Sequence, residues 1–132
     1  MNANEIVAAW RAVNELGGVL LPYKAARKLA GLKKRLSGEV ETVLEMERAL
    51  AREHGGHKQP NGSYQFDTPE AAAAFSEAHK AALEEDDPEI TFQAVDLSRY
   101  TGQISISASA LEALEGIVIF EHGEGEDDGD HG

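Results

Sequence analysis

The sequence has no cysteine among its 132 residues. That absence excludes disulfides, thiol nucleophiles, CxxC redox chemistry and every thiolate zinc site, and it leaves the redox compartment open. No apolar run approaches the roughly 20 residues that cross a bilayer. The opening Met1-Asn2-Ala3-Asn4-Glu5 has neither the basic start nor the apolar stretch of a secretory signal. A soluble, intracellular protein with no membrane partner is expected. Positive charge is scarce: 12 Lys and Arg stand against 24 Asp and Glu, a formal charge of −12. Also missing are a glycine-rich phosphate loop, an HExxH pair, a GxSxG elbow and the aromatic-plus-basic pattern of the common RNA-binding sheets. Carboxylate pairs such as Glu84/Glu85 and Asp86/Asp87 fall in solvated runs, unlike the sheltered carboxylates of acid–base catalysis. These absences predict a protein that is not an enzyme and has no cofactor, metal ion or catalytic residue.

The length suits one domain, which at this size buries roughly two-thirds of its unfolded surface. Charge is distributed unevenly along it. Between Lys24 and Arg35 there are six basic residues and no acid, whereas the last twelve residues carry six acids and four glycines. The composition predicts a single domain over 1–120 and an acidic, disordered tail over 121–132. The excess of acids disfavours nonspecific DNA binding, although the basic segment keeps a local attraction for anions.

Ile6, Val7, Trp10, Val13 and Leu16 recur at helical spacing before Gly17-Gly18, which predicts a helix over 4–16 with Trp10 in its core. Leu29, Leu36, Val43 and Leu50 then fall seven residues apart, with Leu32, Val40 and Met46 between them. This pattern predicts one long helix from Tyr23 to His54, continuous through Ser37-Gly38. Its basic first half and its acidic middle, Glu39, Glu41, Glu45 and Glu47, suit a homo-oligomer in which two copies run antiparallel through residues 23–54. The alternative is a solvated outer face with local pairs such as Arg35 with Glu39.

Further on, Asn61-Gly62 signals a hairpin and Tyr64-Gln65-Phe66 a short strand. Thr68-Pro69-Glu70 opens an alanine-rich helix over 69–85. The alternation in 90–97 predicts a strand, and Ile104 and Ile106 suggest another. Ser109-Ala110-Leu111-Glu112 has capping-box spacing, so a terminal helix is expected to hold Leu111 and Leu114, extending toward Ile117, Val118 and Phe120. The fold class is α+β: a long central helix packed with two or three shorter helices and a small antiparallel sheet.

The order of these patterns carries a resemblance. Leu21-Pro22 leads into the long helix ending Arg48-Ala49-Leu50-Ala51-Arg52. Tyr64-Gln65-Phe66, Ala74-Phe75, Val95-Asp96-Leu97 and Ile106-Ser107 with Ser109 to Ile117 follow. Over residues 4–120 the series resembles a family of small phage and prophage proteins of unknown function. The resemblance implies a phage-encoded, non-enzymatic role in the host cytoplasm or the virion, and it implies no catalytic residue.

Tyr23, Lys24, Arg27, Lys28, Lys33 and Lys34 begin at a helix N-terminus, where free N–H groups and cations together favour anions. Tyr23 with Arg27, and Arg99 with Tyr100, are the adjacent aromatic–cation pairs. Two functions follow. One is an interaction protein, a virion or assembly component or an inhibitor of a host protein, oligomeric through its long helix and engaging a basic partner. The other is an anti-defence module that sequesters a nucleotide signal in pockets at an oligomer interface. Of the five histidines, His54 and His57 beside Glu53 suit a helix end better than a metal, His79 is expected at the surface, and His122 and His131 in the solvated tail.

Overall fold

The computed structural model describes residues 1–122. Helix α1 (Ala3–Glu15) starts on a capping box. Asn2 Oδ1 accepts from the Glu5 N–H at 2.8 Å, and the Glu5 carboxylate accepts from the Asn2 N–H at 2.8 Å. Two donors that a first turn leaves free are thereby satisfied. The stripe Ile6, Ala9, Ala12, Val13 and Leu16 is buried.

Pro22 sets the entry to α2 (Tyr23–Glu53), 31 residues without a break. Gly38 is carried in the helix interior, and the neighbouring Ser37 Oγ accepts from Trp10 Nε1 at 3.0 Å. Trp10 lies half-buried against the core, as expected of it. Leu32 and Leu36 are buried and Leu29 and Val40 half-buried against the same core, while Val43, Met46 and Leu50 are half-buried further along. The heptad series is therefore buried at Leu32 and Leu36 and half-buried at its other positions. Sequence periodicity offered the helix over 69–85 or a second copy as the cover for so long a stripe. Here α1 covers its first half, and α3 lies against its second half.

β1 (His57–Lys58) pairs antiparallel with β2 (Tyr64–Gln65), His57 opposite Gln65. Gly62 takes φ 88° in the connecting turn, a conformation that costs glycine little. Thr68 Oγ1 then accepts from the Ala71 N–H at 3.1 Å and Pro69 occupies the first turn of α3 (Pro69–Glu84). Phe75 on α3 gathers His54, Tyr64, Phe66 and His79 at ring distances of 6.4, 6.0, 5.0 and 5.2 Å. This aromatic cluster ties the end of α2, the hairpin and α3 together. His79, expected at the surface, is instead stacked on Phe75 and 24% exposed in its side chain.

The strand expected over 90–97 is laddered only at β3 (Val95–Asp96). Ile90 and Phe92 pack on the core from an irregular segment instead, and Ile104 and Ile106 do the same without forming a strand. A 3-10 helix spans Ser98–Gln103, followed by α4 (Ala108–Ala113) and β4 (Val118–Ile119). The cap of α4 is Ser107, two residues before the expected Ser109. Its Oγ accepts from Ala110 N–H at 3.2 Å, and its own N–H and Oγ donate to Glu15 at 2.6 and 3.0 Å. The terminal helix does not continue through Ile117 and Val118. It ends at Ala113 with Leu114 at its C-cap, Gly116 turns the chain at φ 82°, and the β-branched residues that follow run parallel to β3, with Val95 opposite Val118. The small antiparallel sheet is thus the hairpin alone, and a second, parallel pair lies in the main core. Val95, Leu97, Leu114, Ile117 and Val118 join α1 and α2 in that core. Among the described residues no helix is long and apolar enough to cross a membrane.

Candidate functional site

The sequence placed its binding residues at the start of α2, and the structure leaves most of them facing solvent. Tyr23 is 75% exposed, and Lys24, Arg27, Lys28, Lys33, Lys34 and Arg99 are exposed as well. Tyr100 is half-buried against the core, so the Arg99–Tyr100 pair points its ring inward. Lys28 lines a 250 Å³ concavity with Gly31, Leu32, Arg35 and residues 93–95. Arg35 is already engaged: its Nη2 donates to the Thr91 carbonyl at 3.0 Å and its guanidinium lies 4.8 Å from the Phe92 ring centre. That cation–π contact replaces the local pair with Glu39. Lys28 is thus the one member of the sequence-derived set that meets a second cation at a described cavity.

The site that the fold builds lies elsewhere. Along β4, an open groove of about 1180 Å³ is lined by Leu111, Val118, Ile119 and Phe120, with Glu112, Glu115 and Glu121 also on its walls. Leu111 is 46% exposed. β3 and β4 make a two-stranded sheet, so within this sheet β4 has a strand on one side only. No lysine or arginine is among the residues lining the groove. Four apolar side chains share its lining with three carboxylates and with Ser98, Thr101 and His122.

Ser98 and His122 line the same groove. The Ser98 N–H and Oγ both donate to Asp96 Oδ1, at 2.9 and 2.6 Å. His122 Nε2 lies 3.3 Å from Asp96 Oδ2 and 3.2 Å from Ser98 Oγ. The hydroxyl and amide of Ser98, and then His122, hold the Asp96 carboxyl below its usual 3.8 against partial desolvation. The three residue types are those of a hydrolytic triad, but the connections differ. In a triad the serine and the carboxylate engage opposite nitrogens of the imidazole, and the serine gives its proton to the ring. Here both lie against Nε2 and the hydroxyl donates to the carboxylate. The arrangement is a side-chain turn leading into the 3-10 helix, with His122 beside it. Read from sequence, His122 belonged to the solvated tail; it is instead 28% exposed in its side chain. The Asp96-x-Ser98 spacing of a side-chain turn is the local signal that could have marked the site. The remainder of the expected tail, 123–132, lies outside the described residues.

Among the described residues no group of three or more His, Asp or Glu side chains gathers to hold a metal. His54 sits at the C-cap of α2, and exposed His57 lies 3.6 Å from Asp67. Comparison of the chain with protein-family models, curated proteins and solved structures finds no match.

Proposed function

We propose that the chain is a noncatalytic interaction protein whose groove beside β4 binds a basic, apolar surface of another protein. The groove itself carries this reading: four apolar side chains and three carboxylates on one surface with no lysine or arginine, in a molecule of net charge −12. Apolar contact supplies affinity there, and the carboxylates select the sign of the partner and speed its approach. The resemblance to small phage proteins implies a partner met in the host cytoplasm or during virion assembly.

The competing function, sequestration of a nucleotide signal in pockets at an oligomer interface, needs cations and aromatics of two copies to converge. Within one copy Tyr23, Arg27, Lys33 and Lys34 face solvent. Thermal melting separates the two readings, because a ligand raises the melting temperature of the state that binds it. The probes are a synthetic peptide alternating leucine and lysine, its leucine–glutamate counterpart, and a set of mononucleotides and cyclic dinucleotides. A rise with the basic peptide alone is expected, lost at high salt and lost in the Glu112→Lys, Glu115→Lys variant. A rise with a nucleotide and none with the peptide overturns the proposal.

A further inference from the structure

Leu20 is 87% exposed and Tyr23 75% exposed, the most uncovered large apolar side chains among the described residues. They project from the connector before α2 and from its first residue. Lys24, Arg27 and Lys28 follow within the next two turns, all exposed. Tyr23 and Arg27 stand one turn apart on one face, and Lys24 and Lys28 on the adjacent line. The nearby acid Glu15, which shares a concavity with Leu20, is engaged by the Ser107 N–H and hydroxyl. The projection is thus apolar at its tip and basic behind it. It is the complement of the groove, and none of its residues lines the groove of its own chain.

We propose that the groove beside β4 receives the Leu20–Lys28 projection of a second copy of this chain, head to tail. Leu20 and Tyr23 enter against Leu111, Ile119 and Phe120, while Lys24, Arg27 and Lys28 meet Glu112, Glu115 and Glu121. Opposite charge names this occupant over the chain's own C-terminal residues. Those residues carry five acids after His122 and no lysine or arginine, and like charge repels them from the groove's carboxylates. The contact is heterologous: each copy offers a projection at one place and a groove at another, so copies join in a ring or an open chain. It differs from the antiparallel pairing of long helices, in which the α2 stripes of two copies would meet. The inference rests on reading the groove as a protein-binding surface and adds the identity of what fills it.

Sedimentation velocity on the full chain over a wide concentration range tests it. The weight-average mass is expected to rise above the 14.2 kDa of one copy and to fall back as salt is added. Two variants, Leu20→Ser with Arg27→Ser and Glu112→Lys with Glu115→Lys, are each expected to weaken association at least about tenfold. Mixed together they regain it and stop at a heterodimer, because one intact projection and one intact groove remain. Misfolded variants cannot rescue each other in this way. A wild type that stays at the mass of one copy overturns the proposal, as does a mixture that remains monomeric while the wild type associates. A monomeric wild type that still binds the leucine–lysine peptide overturns the occupant and leaves the groove's function standing.

Discussion

Asp96 shows how much one short side chain can organise. Its carboxylate accepts two hydrogen bonds from Ser98 and faces His122, linking β3, the 3-10 helix and the end of β4. Because its folded pKa lies below the usual value, the stability it contributes is present above the unfolded pKa and is lost as pH falls through the folded one. Asp96→Asn is therefore expected to lower the melting temperature at neutral pH, by an amount limited by the exposure of the group. At a pH below the folded value the difference from wild type disappears. Melting curves across the acid limb read this directly, and an equal deficit at every pH would assign the loss to shape rather than charge. Two glycines give opposite expectations. A Cβ on Gly56 would lie 2.8 Å from Phe66 Cε1 and 3.0 Å from the Ala51 carbonyl. Gly56→Ala should thus cost about 1–3 kcal/mol in urea unfolding as Phe66 is pushed out of the aromatic cluster. A Cβ on Gly38 meets nothing within 4 Å, and in a helix interior Gly38→Ala should gain about 0.5–1 kcal/mol.

Elements held by caps and periodicity were the legible ones. Thr68 was readable as the start of α3, α1 was readable by its apolar spacing and not by its Asn2 cap, and the heptad spacing of α2 continues through a serine–glycine pair that Trp10 hydrogen-bonds from outside. The parallel pair β3 and β4 was not legible, since two-residue strands carry almost no period and their partners lie 23 residues apart. Ile117-Val118-Ile119-Phe120 reads equally as a helix end or a strand, and Gly116 decides it. The same distance hid the candidate site: Asp96 and Ser98 are neighbours, but His122 and Leu111 arrive only when β4 pairs with β3. The aromatic cluster also depends on tertiary arrangement. Phe75 touches both the end of α2 and the hairpin, so Phe75→Ala should loosen α3 and the hairpin together at a cost of about 2 kcal/mol. Amide exchange is expected to quicken across 57–84 and to stay slow in α1. Equal quickening in both would show that the cluster and the main core are one cooperative unit.

At the scale of the molecule, two apolar assemblies of unequal strength hang on one long helix. The main core contains six large side chains almost wholly removed from solvent: Ile6, Val13, Leu16, Leu36, Leu97 and Leu114. The groove is lined in part by that core through Val118 and Phe120, and a surface built on a packed core associates with little ordering cost. By contrast α3 has no fully buried residue along its 16 positions. Its anchors are the Phe75 cluster and the His79–Glu47 contact, in which Nε2 is sheltered 3.2 Å from a carboxylate oxygen but not aligned for a hydrogen bond. Burial of apolar area sets local stability at about 25 cal/mol per Å², so α3 and the hairpin should open before the rest. The single tryptophan makes this measurable. Trp10 reports on the α1–α2 core, whereas helical circular dichroism counts α3 as well. With rising urea the dichroism is expected to begin falling before Trp10 fluorescence changes, and Phe75→Ala should widen the gap. Coincident transitions in both proteins would place α3 inside the same cooperative unit as the core, despite its shallow burial.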